Sequence, residues 1–172
     1  MCRTNLIPPS ETEHNDTAFA AKLAALAEMP VEFATIAAAI PAAQRRTGAR
    51  DGNFSLHQHL CHLRDIEIEG YRARIERMLA EERPALADLN GATLARARDY
   101  HRQDLGTAEA AWAAIRADLV RRLAGLTPEQ RRRTGVMEGV GEITIDGLVE
   151  MMLAHDAEHR RDLAALRDEL AS

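Results

Sequence analysis

Lysine is nearly missing from this sequence: Lys22 stands alone, and every other basic side chain apart from histidine is arginine. The balance of 22 basic against 27 acidic residues leaves a net charge of −5. Arg131, Arg132 and Arg133 make the one short basic cluster, which argues against a nucleic-acid platform. Aromatic residues are only 3% of the chain, so a core must come from Ala, Leu, Ile, Val and Met, which suits closely packed helices. Cysteine is limited to Cys2 and Cys61 in no recognisable spacing, which excludes a disulfide framework. No apolar run approaches the roughly 18 residues that a membrane span needs, and no charged-then-apolar leader opens the chain. The expected location is therefore cytoplasmic, with no membrane and no nucleic acid among the partners.

What is present is helical. Residues 1–16 are polar, with Pro8 and Pro9 adjacent, and read as a mobile N-terminal arm ahead of a single domain over 17–172. From Thr17 an alanine-rich stretch favours helix. Pro30 is expected to break or kink it before VEFATIAAAI resumes, and Pro41 closes the run. A polar connection, 42–53, follows. Ser55 and Gln58 then form a capping box, opening a helix that should reach about Leu79. Leu56, Leu60, Leu63, Tyr71 and Met78 line one side of it, with Ile66 at the edge. Residues 82–92, with Pro84 and Gly91, read as a loop. Trp112, Ile115, Leu119 and Leu123 mark a helix from about Thr107 to Leu123, and Pro128 starts a short helical turn. TGVMEGVGEIT, with three glycines, reads as an irregular or extended connector. Thr144 can cap the last helix, with Asp146 in its first turn; Leu148, Met151, Met152, Leu163 and Leu166 form its apolar side. With no strand pattern of useful length, the expected fold is all-α: a four-helix bundle with long connections.

The chemistry lies in the histidines, seven in all, five of them on two of these helices. HDAEH places His155 and His159 one turn apart, about 40° around the axis. They share a direction with Leu148, Met151, Met152 and Leu166, so the pair faces the bundle interior. Two buried imidazoles need partners, and a cation is an efficient one. HDAEH also fits the H-x-x-E-H zinc-peptidase pattern, which requires a further acidic ligand downstream. Within residues 160–172 the single glutamate is Glu169, about 15 Å along the same helix from His159. It cannot share the ion, and Glu158 thereby loses an automatic role as general base. A ligand from the helix opened by Ser55 fits better. His62 falls at the edge of the apolar stripe. His59, about 60° from it, is the reserve, and also reads as a half-buried polar residue near the cap. His57 points elsewhere and should be exposed.

FSLHQHLCHLRDIE, with its aromatic-Ser start and its closing L-x-H-L-x-D-x-E, resembles the corresponding stretch of the DinB/YfiT-like family. MMLAHDAEHRRDLAAL resembles that family's closing H-x-x-x-H helix, and the segments between follow the family's order. The resemblance extends from about Pro30 to Leu166. It implies a four-helix bundle with one divalent metal on three histidines, which by position are His62, His155 and His159. Phe54 stands where the family usually has tryptophan, and Cys61 matches no catalytic cysteine. Asp65, Glu67 and Asp162 are candidates to orient the ligand rings from outside, each also readable as a solvated surface carboxylate; His59 and Glu158 complete that outer set.

Three neutral imidazoles leave the cation's charge intact and a coordination position open, the pattern of a catalytic rather than a closed structural site. Zinc or nickel is expected first, with iron after them. Family relatives include metal-dependent hydrolases and enzymes that use low-molecular-weight thiols such as bacillithiol and mycothiol. The resemblance therefore implies a metal-dependent enzyme acting on a small molecule, with thiol S-transfer ahead of hydrolysis and no catalytic base assigned. The contrasting expectation is a non-catalytic, metal-braced module or homodimer linked to stress, marked by an ion with no room beside it for a substrate.

Overall fold

The computed structural model describes residues 11–50 and 53–172. The first long helix, α1, spans Glu11–Ala38. A short 3-10 turn at Ala42–Gln44 leads to a second rod made of α2 (Leu56–Asp65), a π-helical turn (Ile66–Arg72) and α3 (Ala73–Ala80). Next come β1 (Ala85–Leu86), α4 (Gly91–Ala97) and a 3-10 turn at Tyr100–Arg102. The chain ends with α5 (Leu105–Ala124), α6 (Pro128–Arg131), β2 (Thr134–Met137), β3 (Gly141–Thr144) and α7 (Ile145–Ala171).

α1, the α2–α3 rod, α5 and α7 make the four-helix bundle, with α1 packed on α5 and α7, and the rod packed on the same two helices. Sequence-local chemistry sets the helix starts. Ser55 and Gln58 form the expected reciprocal capping box, and the Thr144 side chain accepts from the Gly147 backbone N–H. The core is aliphatic, with Leu26, Leu56, Leu60, Leu119, Leu148, Met152 and Leu163 all buried. The rare aromatics are concentrated inside: Phe33 and Trp112 meet edge-on at 5.1 Å. Among the described residues, no helix is long and apolar enough to cross a membrane.

Three expectations need correction. The 82–92 loop and the TGVMEGVGEIT connector contain strands, which form a small three-stranded sheet in the order β1-β2-β3. β1 runs parallel to β2, pairing Ala85 with Val136, and β2 and β3 form an antiparallel hairpin from Thr134↔Thr144 to Met137↔Gly141. The hairpin turn relies on Gly139 and Gly141, both at positive φ. These strands are two to four residues long, too short for alternation to register. Secondly, the chain does not leave the helix at Pro30, which lies inside α1, and α1 begins at Glu11, ahead of Thr17. Residues 1–10, the rest of the expected arm, lie outside the described residues. Thirdly, on α5 the buried line runs through Trp112, Arg116, Leu119 and Leu123, with Ile115 only half-buried.

Arg116 explains both the Pro30 and the α5 findings. A proline in a helix has no N–H for the carbonyl four residues earlier, which here belongs to Leu26. The Arg116 Nη1 donates to that Leu26 oxygen at 3.1 Å. The same guanidinium donates to both Glu67 oxygens at 2.7 Å and to both Asp156 oxygens at 2.6 and 3.2 Å. All five guanidinium N–H groups are thus engaged. Arg116, Glu67 and Asp156 are each at most 1% exposed, so each side chain depends on the others for its solvation. The π-helical turn belongs to this arrangement: it carries Glu67 inward, next to buried Ile66, Gly70 and Tyr71.

Replacing Arg116 by Met should cost about 3–5 kcal/mol or more, because two buried carboxylates lose their counter-charge. Urea unfolding monitored by far-UV circular dichroism measures it; a loss under 1 kcal/mol would show that the triad does not brace the bundle.

Candidate metal centre

His62 comes from α2, and His155 and His159 lie one turn apart on α7. Packing of the rod against α7 brings all three rings to one point. His62 Nε2 is 3.2 Å from His155 Nε2, which is 3.1 Å from His159 Nε2. Four ligands at 2.0–2.1 Å in a tetrahedron around zinc stand about 3.3 Å apart, so the observed spacing fits a shared cation. The outer nitrogens agree. Among the described residues, His62 Nδ1 and His155 Nδ1 are buried without a hydrogen-bond partner, as expected if the inner Nε2 atoms, not the outer Nδ1 atoms, hold the rings in place. The cluster is able to coordinate one divalent ion.

The environment disfavours the charged form of His62, His59 and His159, and ligation needs the neutral ring. Burial first, then the neighbouring His155 and His59, lower His62 to about 4; burial and His155 lower His59 to the same value. Burial lowers His159 further still, with His155, His59 and His62 adding to it.

Gly91 opens α4 against the His62 ring. A Cβ at position 91 would lie 2.6 Å from His62 Cε1 and 2.9 Å from its Nδ1, well inside contact distance. Asn90 fixes this approach by capping α4 through the Thr93 N–H at 2.9 Å. On the other side, Phe54 stands edge-on to His62 at 5.6 Å and to His59 at 5.7 Å. The Tyr71 ring lies 5.9 Å from His155. A cavity of about 670 Å³ adjoins the three rings, within the usual range for small-molecule sites. Ile66, Leu89, Met137 and Met151 give it apolar walls, while Arg74, Glu158 and Arg161 add charge.

The remaining expectations fare differently. His59 is fully drawn in rather than half-buried: it is 2% exposed, and its Nδ1 lies 2.9 Å from His159 Nδ1. Asp162 is half-buried and offers an oxygen near His59 and His159. Glu158 is exposed at the cavity. Asp65 and Glu67 are neither solvated nor directed at the rings. Asp65 takes Arg64 at 2.7 Å, Arg98 at 2.8 Å and the Tyr100 hydroxyl at 3.0 Å. Burial opposes its charge, but those three donors together hold its carboxyl below the ordinary range. Glu67 is taken by Arg116. His57 is buried, not exposed, because the connection after α1 folds over the start of α2; His57 Nδ1 lies 3.3 Å from Arg45 O. Cys61 is buried against Ala95, Tyr100 and Ala108, and burial raises its thiol, which leaves it inert. Sequence reasoning missed Arg116, Asp156, Gly91 and Tyr71 at the site. The first two carried a signal: each is a charged residue four positions after a buried apolar one, Trp112 or Met152, on the same helix face.

Replacing Gly91 by Ala should leave the fold stable, since the His62 ring can swing aside, yet weaken zinc binding about tenfold or more. Chelator competition against a melting curve separates the two; unchanged affinity would dismiss the contact. In the metal-free protein, unfolded histidines take up protons near 6.5 while buried His59 and His62 resist until about 4. Stability should therefore be level above pH 6.5 and decline as pH falls towards 4. Urea midpoints across that range test it, with a flatter decline expected for His62→Phe.

A family model described as the DinB superfamily matches residues 25–163. No curated protein matches the chain in sequence. Among solved structures, YfiT from Bacillus subtilis superposes with a TM-score of 0.81 over 96% of this chain and 94% of its own, at 20% sequence identity. YfiT is described as a probable metal-dependent hydrolase with an unusual four-helix bundle topology. The likeness extends over the whole bundle, and the family match runs through α2, α5 and the first two-thirds of α7. The chain belongs to the DinB superfamily.

Proposed function

We propose that the protein is a metal-dependent enzyme acting on a small molecule, with His62, His155 and His159 as ligands to one divalent cation. The observation that carries this reading is the convergence of three Nε2 atoms beside a cavity of about 670 Å³. A closed, purely bracing ion would have no such space next to it, so the cavity favours an enzyme over a metal-braced module.

Hydrolysis comes first. A bound zinc or nickel ion supplies a Lewis acid that activates a water or thiol and polarises the group under attack. The protein's own part is to keep His62 and His159 uncharged through burial and to hold His62 in place by the packing of Gly91 and Phe54 around it. The apolar walls hold the substrate and limit competing water. Two exposed carboxylates line the cavity, Asp88 and Glu158; Glu158, next to His159 on α7, is the candidate to take a proton from the attacking group. YfiT's description as a probable metal-dependent hydrolase supports the same order. The cavity size supports a second reading, S-transfer from a low-molecular-weight thiol, since two small molecules fit together there.

Zinc- and nickel-loaded protein should be tried against ester and amide hydrolysis and against thiol conjugation of small electrophiles. His155→Ala should abolish tight metal binding and lower whichever activity appears by at least about 10³-fold, whereas His57→Ala should keep both. Turnover that persists in His155→Ala would remove the metal from the reaction.

A further inference from the structure

The three inward-facing rings are not supported alike. If each is held through Nε2, each carries its remaining proton on Nδ1. His62 Nδ1 and His155 Nδ1 are buried with nothing among the described residues to receive that proton. His159 alone has a hydrogen-bond partner: its Nδ1 lies 2.9 Å from His59 Nδ1. The His59 ring stands edge-on to that of His159, with centroids 5.1 Å apart and planes at 81°. Phe54 backs it from the other side at 5.7 Å, and His59 is only 2% exposed.

We propose that His59 is the positioning residue of the metal centre, accepting the Nδ1–H of His159 and so holding the His159 Nε2 lone pair toward the cation. The inference rests on the metal reading above. Ligating histidines usually pass their outer N–H to a carboxylate or a carbonyl, which orients the ring and strengthens it as a donor. Here a second imidazole takes that part. The proton count then follows: His159 donates from Nδ1, so His59 must present a bare Nδ1 and carry its own proton on Nε2, which is buried with no hydrogen-bond partner among the described residues. The support falls at one point, on the ring nearest the other two, 4.4 Å from His155 and 4.9 Å from His62 between centroids, and those two depend on packing by Gly91, Phe54 and Tyr71.

A competing arrangement uses the same atoms. His59, His159 and Asp162 also present donor atoms within 4.8 Å of one another, and a second cation there would need His159 to give up both ring protons and bridge two ions. The hydrogen bond requires no such ionisation, which is why it is preferred.

The test uses the full chain as wild type, His59→Phe, which keeps a ring and removes the acceptor, and His59→Asn, whose amide oxygen falls near the position of the lost Nδ1. Zinc affinity is measured by chelator competition, metal stoichiometry by elemental analysis, and site geometry by the visible absorption of the cobalt-substituted protein. His59→Phe should stay folded, bind one zinc about 10–100-fold more weakly and show an altered cobalt spectrum. His59→Asn should recover most of the affinity and the wild-type spectrum. Equal affinity and spectra in all three would overturn the positioning role while leaving the metal site standing, as would equal losses in both variants. Two zinc ions per wild-type chain, one of them lost in His59→Phe, would make His59 a ligand instead. Wild type that takes up no zinc, nickel or cobalt would sink the metal reading itself, and this inference with it.

Discussion

One guanidinium joins the four long helical segments of the bundle. Arg116 projects from α5 and binds Glu67 on the π-helical turn, Asp156 on α7 and the Leu26 carbonyl on α1. None of these groups can reach water, so the burial of each is tolerable only because the others are in place. A buried ion network of this type adds little net stability over an apolar core. Its consequence is geometric, since five directed hydrogen bonds accept one relative placement of the helices and reject sliding or rotated ones. The Trp112 ring beside the guanidinium, 5.4 Å from its carbon, closes the remaining side.

That placement is what the histidines require. Asp156 directly follows His155, and Glu67 lies one residue beyond Ile66 on the rod that carries His62. Fixing Asp156 against Glu67 therefore sets the distance between the two helices that carry the clustered histidines. The apolar core alone, made of interchangeable leucines and methionines, would specify that distance less sharply. The π-helical turn contributes to the same end. Its wider winding shifts the phase of the rod after α2, and Ile66, Glu67, Gly70 and Tyr71 are all buried along it.

Much of this is legible in the order of the residues. His155 and His159 declare themselves by spacing, and His62 by its place at the edge of a leucine stripe. Ser55, Gln58 and Thr144 announce their caps because capping is local chemistry, complete within four residues. Other features are hidden for physical reasons. The strands of the small sheet are too short to alternate visibly and contain glycines. Asp65 and Glu67 read as surface carboxylates because adjacent Arg64 supplies only part of the neutralisation of Asp65, while Arg98, Tyr100 and Arg116, the other partners, lie on other elements. His57 reads as exposed because its cover comes from the connection that follows α1, not from its own helix. Arg116 and Asp156 stand on apolar helix faces, an anomaly that points to a buried partner without naming it.

The amino-acid sequence by itself determined the helices, their caps, the inward direction of the histidine pair and the family. Each follows from forces acting within a turn or two of chain. Only the tertiary structure decided that Leu26, freed by Pro30, would meet Arg116; that Gly91 would lie against the His62 ring; and that His59 would face the outer nitrogen of His159. Those contacts join groups far apart in sequence. Helical periodicity fixes the direction in which a side chain leaves its own axis, but the group it meets depends on the angle and offset at which a second helix packs.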